Sequence, residues 1–133
     1  MGNHIFPSLR YKDAKAAIAW LERAFGFELH SSHEDEDGSV VHAELRWGET
    51  MIMLSDETDA GIERWGEHAG RGWHYVAIED VDAHFERARE AGAEIVMEPE
   101  DQDYGSRDYS ARDPEGNLWS FGTYDPLDEP QRA

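Results

Sequence analysis

The punctuation of this chain repeats at half its length. Asp13 and Asp80 lie 67 residues apart, Gly26 and Gly92 lie 66 apart, and Gly48 and Gly116 lie 68 apart, in a sequence of 133 residues. Capping residues and turn glycines that recur at one long offset predict a duplicated unit with the same order of elements in each half. Asp13 is placed to cap a helix through Ala14, Ala17, Ile18, Leu21 and Phe25, whose spacings of three and four form one apolar stripe. Gly26 stands where a helix C-terminal glycine belongs. The second helix has the same design, with Asp80 or Asp82 as its cap, Val81, Phe85, Ala88 and Ala91 as its stripe, and Gly92 at its close.

Strands are predicted on both sides of each helix, over residues 5–11 and 27–34 in the first half and 73–79 and 93–97 in the second. Hairpins follow. Asp37-Gly38 is a tight-turn dipeptide leading into 40–46, and Trp47-Gly48-Glu49 turns the chain into Thr50–Asp56. Arg107–Arg112 runs into Asp113-Pro114-Glu115-Gly116, where proline and glycine suit the positions of a turn, and 117–124 follows. The predicted class is therefore α+β, a tandem of βαβββ modules. Residues 1–56 form the first module, 57–72 a connecting loop, 73–125 the second module and 126–133 a flexible tail. The connection is longer than a typical loop. Its Trp65 is placed either to fold over a pocket or to pin the loop.

Composition narrows the functions open to such a fold. Thirty acidic residues against twelve basic ones give a formal net charge of −18, which disfavours nucleic acid and favours cationic small molecules. A solvated acidic surface is the plainer explanation of the same number. The absence of cysteine excludes disulfides and sulfur-ligated metals. No apolar signal-peptide core and no stretch of membrane-spanning length is present, so a cytoplasmic protein with no membrane partner is expected.

Period-two alternation assigns faces to the strands. Phe6, Ser8 and Arg10 oppose Ile5, Pro7, Leu9 and Tyr11; Met51, Met53 and Ser55 oppose Ile52 and Leu54; Trp73, Tyr75 and Ala77 oppose His74, Val76 and Ile78; Leu118, Ser120 and Gly122 oppose Trp119 and Phe121. The aliphatic set is expected beneath the helices. The mixed set of aromatic, Met, Ser and Arg residues would then line a concave side, a composition suited to a small-molecule pocket, a dimer interface or second-face packing.

Three segments, LRYKDAKAAIAWLERAFGFEL, AIEDVDAHFERAREAGAEIV and YGSRDYSARDPEGNLWSFGTYDP, together resemble the vicinal oxygen chelate superfamily of glyoxalases, bleomycin-resistance proteins and extradiol dioxygenases. The resemblance spans residues 4–125, and its terminal hairpin, Arg112-Asp113-Pro114-Glu115-Gly116-Asn117, is the closest part. It implies paired βαβββ modules whose curled mixed sheets enclose a cavity, commonly in a homodimer. Enzymes of that family hold a divalent metal on His and Glu side chains at inward-facing strand positions. Carried over, those positions are Phe6, Met53, Trp73 and Ser120. None is a histidine or a carboxylate, so no metal or other cofactor is expected.

The seven histidines leave one alternative, a rebuilt metal site from His4, His74 and Glu44, which needs a shift of register at His74. His42 and Glu44, two apart on one strand, are candidates for a catalytic base and its partner, with His74 a third catalytic candidate. His30, His33 and His84 read as surface or helix-flank residues, and His68 as a polar loop residue that could touch ligand. The expected ligand-binding residues are Phe6, Ser8, Met53, Trp65, Trp73, Tyr75 and Ser120. The leading expectation is a protein that sequesters an aromatic or cationic compound without catalysis. A metal-dependent lyase or dioxygenase with a divergent His/Glu site is the alternative, and a structural or regulatory dimer the third.

Overall fold

The computed structural model describes residues 2–128. The chain divides into two compact units, one ending at Arg71 and the other starting at Gly72.

The first unit runs β1 (Ser8–Tyr11), α1 (Ala14–Phe25), β2 (Glu28–Glu34), β3 (Val40–Trp47), β4 (Thr50–Asp56) and α2 (Asp59–Trp65). Its sheet has the order β1-β4-β3-β2, with β1 parallel to β4 and the other pairs antiparallel. The second unit repeats the plan with β5 (Trp73–Ala77), α3 (Val81–Glu90), β6 (Glu94–Asp101), β7 (Arg107–Arg112) and β8 (Leu118–Gly122), ordered β5-β8-β7-β6. Among the described residues, two mixed four-stranded sheets and three helices make this an α+β protein with the βαβββ order read from the sequence.

Both long helices start where their aspartates place them. The Asp13 side chain accepts from the Ala16 N–H, and Asp80, rather than Asp82, accepts from the Ala83 N–H. Gly26 ends α1 in the left-handed conformation at φ 87°. In α3, Ala91 is the cap and Gly92, at φ 91°, follows it. α1 buries Ala14, Ala17, Ile18, Trp20, Leu21, Ala24 and Phe25 against the first sheet's Leu9, Tyr11, Ala43, Leu45, Ile52 and Leu54. α3 buries only Val81 and Ala88 fully, over Tyr109, Ala111, Trp119 and Phe121.

Each unit is fastened internally by an acid, half-buried Asp56 in the first and buried Asp113 in the second. Asp56 accepts from the N–H groups of Ala14 and Val40, tying β4 to the start of α1 and to β3. Asp113 accepts from the N–H groups of Glu115 and Asn117 and from the indole N–H of Trp119, while Asn117 Oδ1 accepts from the Gly72 N–H. The Asp113–Asn117 segment is thus a structural lock on the β7–β8 hairpin.

Several boundaries differ from the sequence reading. β1 starts at Ser8, because Pro7 has no N–H for the ladder and contributes only its carbonyl, which accepts from Met53 N–H at 2.9 Å. β6 extends to Asp101 past two irregularities in its pairing with β7. The 57–72 connection, expected as a loop, contains α2. Thr58 accepts from the Gly61 N–H at its start, and Gly66, at φ 69°, ends it. His84 is half-buried rather than on a helix flank; its ring centroid lies 4.3 Å from that of Phe121 and its Nδ1 is 2.5 Å from the Tyr109 hydroxyl. The predicted tail reaches the described residues only as far as Asp128, and 129–133 lie outside them. Among the described residues no helix is long and apolar enough to cross a membrane.

Candidate functional site

Each sheet has one face under a helix and one face without a helix of the βαβββ core. Register fixes which side chains share the open face. In the first unit, Ser8 is opposite Met53 and Arg10 opposite Ser55, while Glu44 is opposite Met53 and Arg46 opposite Met51. Ser8, Arg10, Met51, Met53, Ser55, Glu44 and Arg46 therefore share the side away from α1. Phe6 precedes β1, exposed, with its ring 5.9 Å from that of His4.

This first face is mostly self-paired. Arg10 donates from Nη1 to Ser55 Oγ at 2.6 Å and from Nε and Nη2 to Glu67 Oε2 at 2.9 and 2.5 Å, so the segment after α2 is tied to the sheet. His42 Nε2 and Glu44 Oε2 are 2.8 Å apart, and the Ser31 hydroxyl donates to Glu44 Oε1 at 3.2 Å. The hydrogen bond to His42 holds the Glu44 carboxyl below the usual carboxylate range. Arg46 is 2.9 Å from His30 Nδ1, and the His33 and His42 rings stack with centroids 6.4 Å apart. His30 and His33 thus join the His42–Glu44 pair. Trp65, the last residue of α2, is exposed beneath the Arg64 guanidinium, 4.8 Å from the ring centroid. His68 is exposed in the same segment.

In the second unit Tyr75 is opposite Ser120, Ala77 opposite Gly122, and Trp73 opposite Leu118. Ser110 is opposite Ser120 and Asp108 opposite Gly122. This open face carries Trp73, 71% exposed, and the exposed Tyr75. The Trp73 indole N–H donates to Ser120 Oγ at 3.4 Å, and Ser120 and Ser110 hydroxyls are 2.8 Å apart. Burial raises the Tyr75 hydroxyl above its ordinary value, and its proton is donated to the Tyr124 carbonyl at 2.6 Å.

The structure corrects the reading of His74. β5 pairs with β8 through five consecutive residues without a shift, so no bulge turns His74 to the open face. Its ring lies 5.2 Å from that of Trp119 on the α3 side, and burial depresses its basicity. Its Nδ1 has no hydrogen-bond partner among the described residues. Trp119 and Phe121 are fully buried on that side too, so aromatic character alone does not mark the open face.

The four positions carried over as metal positions hold two aromatic rings, a thioether and a hydroxyl, a donor set that does not suit a hard or borderline divalent cation. Among the described residues no group of three or more His, Asp or Glu side chains is arranged to hold a metal ion. The residues on or beside this open face that sequence reasoning missed are Asp108, Ser110, Tyr104 and Tyr124, whereas Gly122 falls on the Ser120 face as alternation predicts. Alternation along Arg107–Arg112 separates Asp108 and Ser110 from Tyr109 and Ala111 and puts them on the Ser120 face. Tyr104 lies in a turn, where no periodic signal exists, and Tyr124, expected at the end of the 117–124 strand, lies two residues past the end of β8.

A sequence model of the Glyoxalase/Bleomycin resistance protein/Dioxygenase superfamily matches residues 3–121. The chain belongs to this superfamily. It is 34% identical over 121 residues to an uncharacterized protein of Mycobacterium bovis, covering 87% of this chain and 80% of that one. Among solved structures it is similar to TioX from Micromonospora sp. ML1, with 35% identity, a TM-score of 0.78, and coverage of 91% of this chain and 98% of TioX. A glyoxalase/bleomycin resistance protein from Streptomyces sp. CB03234 shares the fold at 20% identity and a TM-score of 0.70, covering 90% of this chain and 98% of that one.

Proposed function

We propose that this superfamily member binds a small aromatic or cationic molecule on the open face of its second sheet and sequesters it without catalysis or a bound metal. The observation that carries the reading is the pair Trp73 and Tyr75, large aromatic side chains exposed side by side on a regular strand next to two hydroxyls. Exposed rings on an ordered platform offer stacking area, and the neighbouring hydroxyls fix orientation. The net charge of −18 raises the local concentration of cations. Within the first unit, Phe6, Ser8, Met53 and Trp65 are separately proposed as ligand contacts, and a homodimer in the cytoplasm remains the proposed form of the protein.

Titration with ethidium, caffeine and bleomycin-type glycopeptides, followed by tryptophan fluorescence, tests the reading. Saturable quenching that is lost in Trp73→Ala supports it. No binding of any of them at high micromolar concentration contradicts it. One observation favours a second reading: the 2.8 Å contact between His42 and Glu44 is the geometry of a base held by a carboxylate. That reading requires turnover of a bound compound that disappears in His42→Gln. Stoichiometric metal in protein purified without chelator would instead favour the metal-dependent lyase or dioxygenase alternative.

A further inference from the structure

We propose that the second unit holds a site for an ammonium cation, preferentially a methylated one, formed by the Asp108 carboxylate and the rings of Tyr75, Tyr104 and Tyr124. The inference rests on the binding reading above and names the chemical group that the face recognises.

Asp108 is only 9% exposed. Its Oδ1 accepts from the Ser106 hydroxyl at 2.5 Å and its Oδ2 from the Tyr104 hydroxyl at 2.8 Å. Among the described residues no Lys, Arg or His side chain pairs with it. The adjacent Arg107 is directed elsewhere, to Asp82 at 2.9 Å and Asp101 at 3.1 Å. A carboxylate this deep without a counter-charge is costly, and two hydroxyl donors do not neutralise it. A bound cation would.

The surroundings suit one kind of cation. The Tyr75 and Tyr124 centroids are 6.5 Å apart, and those of Tyr104 and Tyr124 are 6.3 Å apart at an interplanar angle of 90°. This spacing lets one cation lie within the roughly 6 Å over which a ring face attracts positive charge. All three rings are exposed, so the site opens to solvent. Tyr104 is held neutral chiefly by its hydrogen bond to Asp108, and Tyr75 chiefly by burial, so both remain hydroxyl donors with unionised rings. The ring faces favour a methylated ammonium over a primary amine, because aromatic rings around a cation suit quaternary ammonium groups.

Gly122 makes room for the carboxylate. A Cβ there would collide with Asp108 Oδ1 and lie 2.7 Å from the Tyr75 hydroxyl. The first unit shows the alternative. Register equates Ala77, opposite Gly122, with Arg10, opposite Ser55. The first face therefore carries its own guanidinium at the place where the second has a methyl group.

The test is titration with tetramethylammonium chloride, followed by NMR of the tyrosine rings, against neopentyl alcohol as the uncharged shape match and sodium chloride at equal ionic strength. Saturable binding of tetramethylammonium alone is expected. Asp108→Asn should weaken it about tenfold or more, and Tyr104→Leu, at an exposed position that tolerates change, about three- to tenfold. Equal binding of the alcohol, or wild-type affinity in a folded Tyr104→Leu, would overturn the site. Absence of tetramethylammonium binding while caffeine still quenches Trp73 would overturn the ammonium site and leave the broader binding reading standing. Failure of wild-type protein to bind tetramethylammonium, caffeine, ethidium or bleomycin-type glycopeptides would overturn both.

Discussion

The two units have one topology and opposite investments. The first unit packs a twelve-residue helix with seven buried positions onto its sheet and neutralises its open face from within, pairing Arg10 with Glu67 and Ser55, and His42 with Glu44. The second packs a ten-residue helix with two fully buried positions and leaves Trp73, Tyr75, Tyr104 and Tyr124 exposed, with Asp108 paired to no basic side chain among the described residues. The pairing explains the contrast. Equivalent strands meet in equivalent register, Met53 where Ser120 stands and Ser8 where Tyr75 stands, so the faces differ by side chains alone. Duplication supplies two scaffolds; one buries more of its helix and the other carries the proposed recognition face.

The comparison is tested most severely in the cores. Leu21→Ala, at a fully buried position on α1, should cost about 2–5 kcal/mol in urea unfolding. Phe85→Ala on the half-covered α3 should cost clearly less. Equal losses would erase the asymmetry. Next in size, Gly122→Ala should destabilise by about 1–3 kcal/mol, because its Cβ displaces Asp108 and Tyr75. The equivalent Ser55→Ala, which only removes an acceptor for Arg10, should cost about 0.5–1.5 kcal/mol.

Smaller effects appear with pH. His74 is less basic in the folded state than unfolded, so the unfolded chain takes up its proton first as pH falls. Its neutral form is fully compatible with the fold above about 6.5, and stability declines below that value towards the lower folded-state value. His74→Phe should flatten this slope in thermal melts at stepped pH. The smallest change is expected at Glu44. Its depressed carboxyl contributes stability above the ordinary carboxylate value, lost as pH falls through the lower folded value. His42→Gln should move the Glu44 titration, read by carboxyl NMR, up towards the ordinary range. An unmoved titration would show that the pair does not persist in solution.

Much of this architecture could be read before any coordinates, because its signals are local. Asp13, Asp80, Gly26 and Gly92 mark helix ends through backbone hydrogen bonds and positive φ, and Asp37-Gly38 and Asp113–Gly116 mark turns. The faces were legible too, since alternation alone groups Trp73 with Tyr75 and Met53 with Ser55. Three things were not. α2 has too few residues for a periodic stripe. The orientation of His74 depended on whether β5 carried a bulge, which only pairing with β8 decides. The Asp108 cluster joins a strand residue to loop tyrosines 104 and 124, and loops obey no period. Its members are close in space through the β7–β8 hairpin and the turn before it.

The most direct measurement is chemical-shift mapping of the isotope-labelled full chain during titration with ethidium. Saturable shifts are expected at Trp73, Tyr75, Ser110 and Ser120, with smaller changes at His42, Glu44 and Arg46. Shifts confined to the first unit's face, or none at either face, would contradict the proposed recognition face.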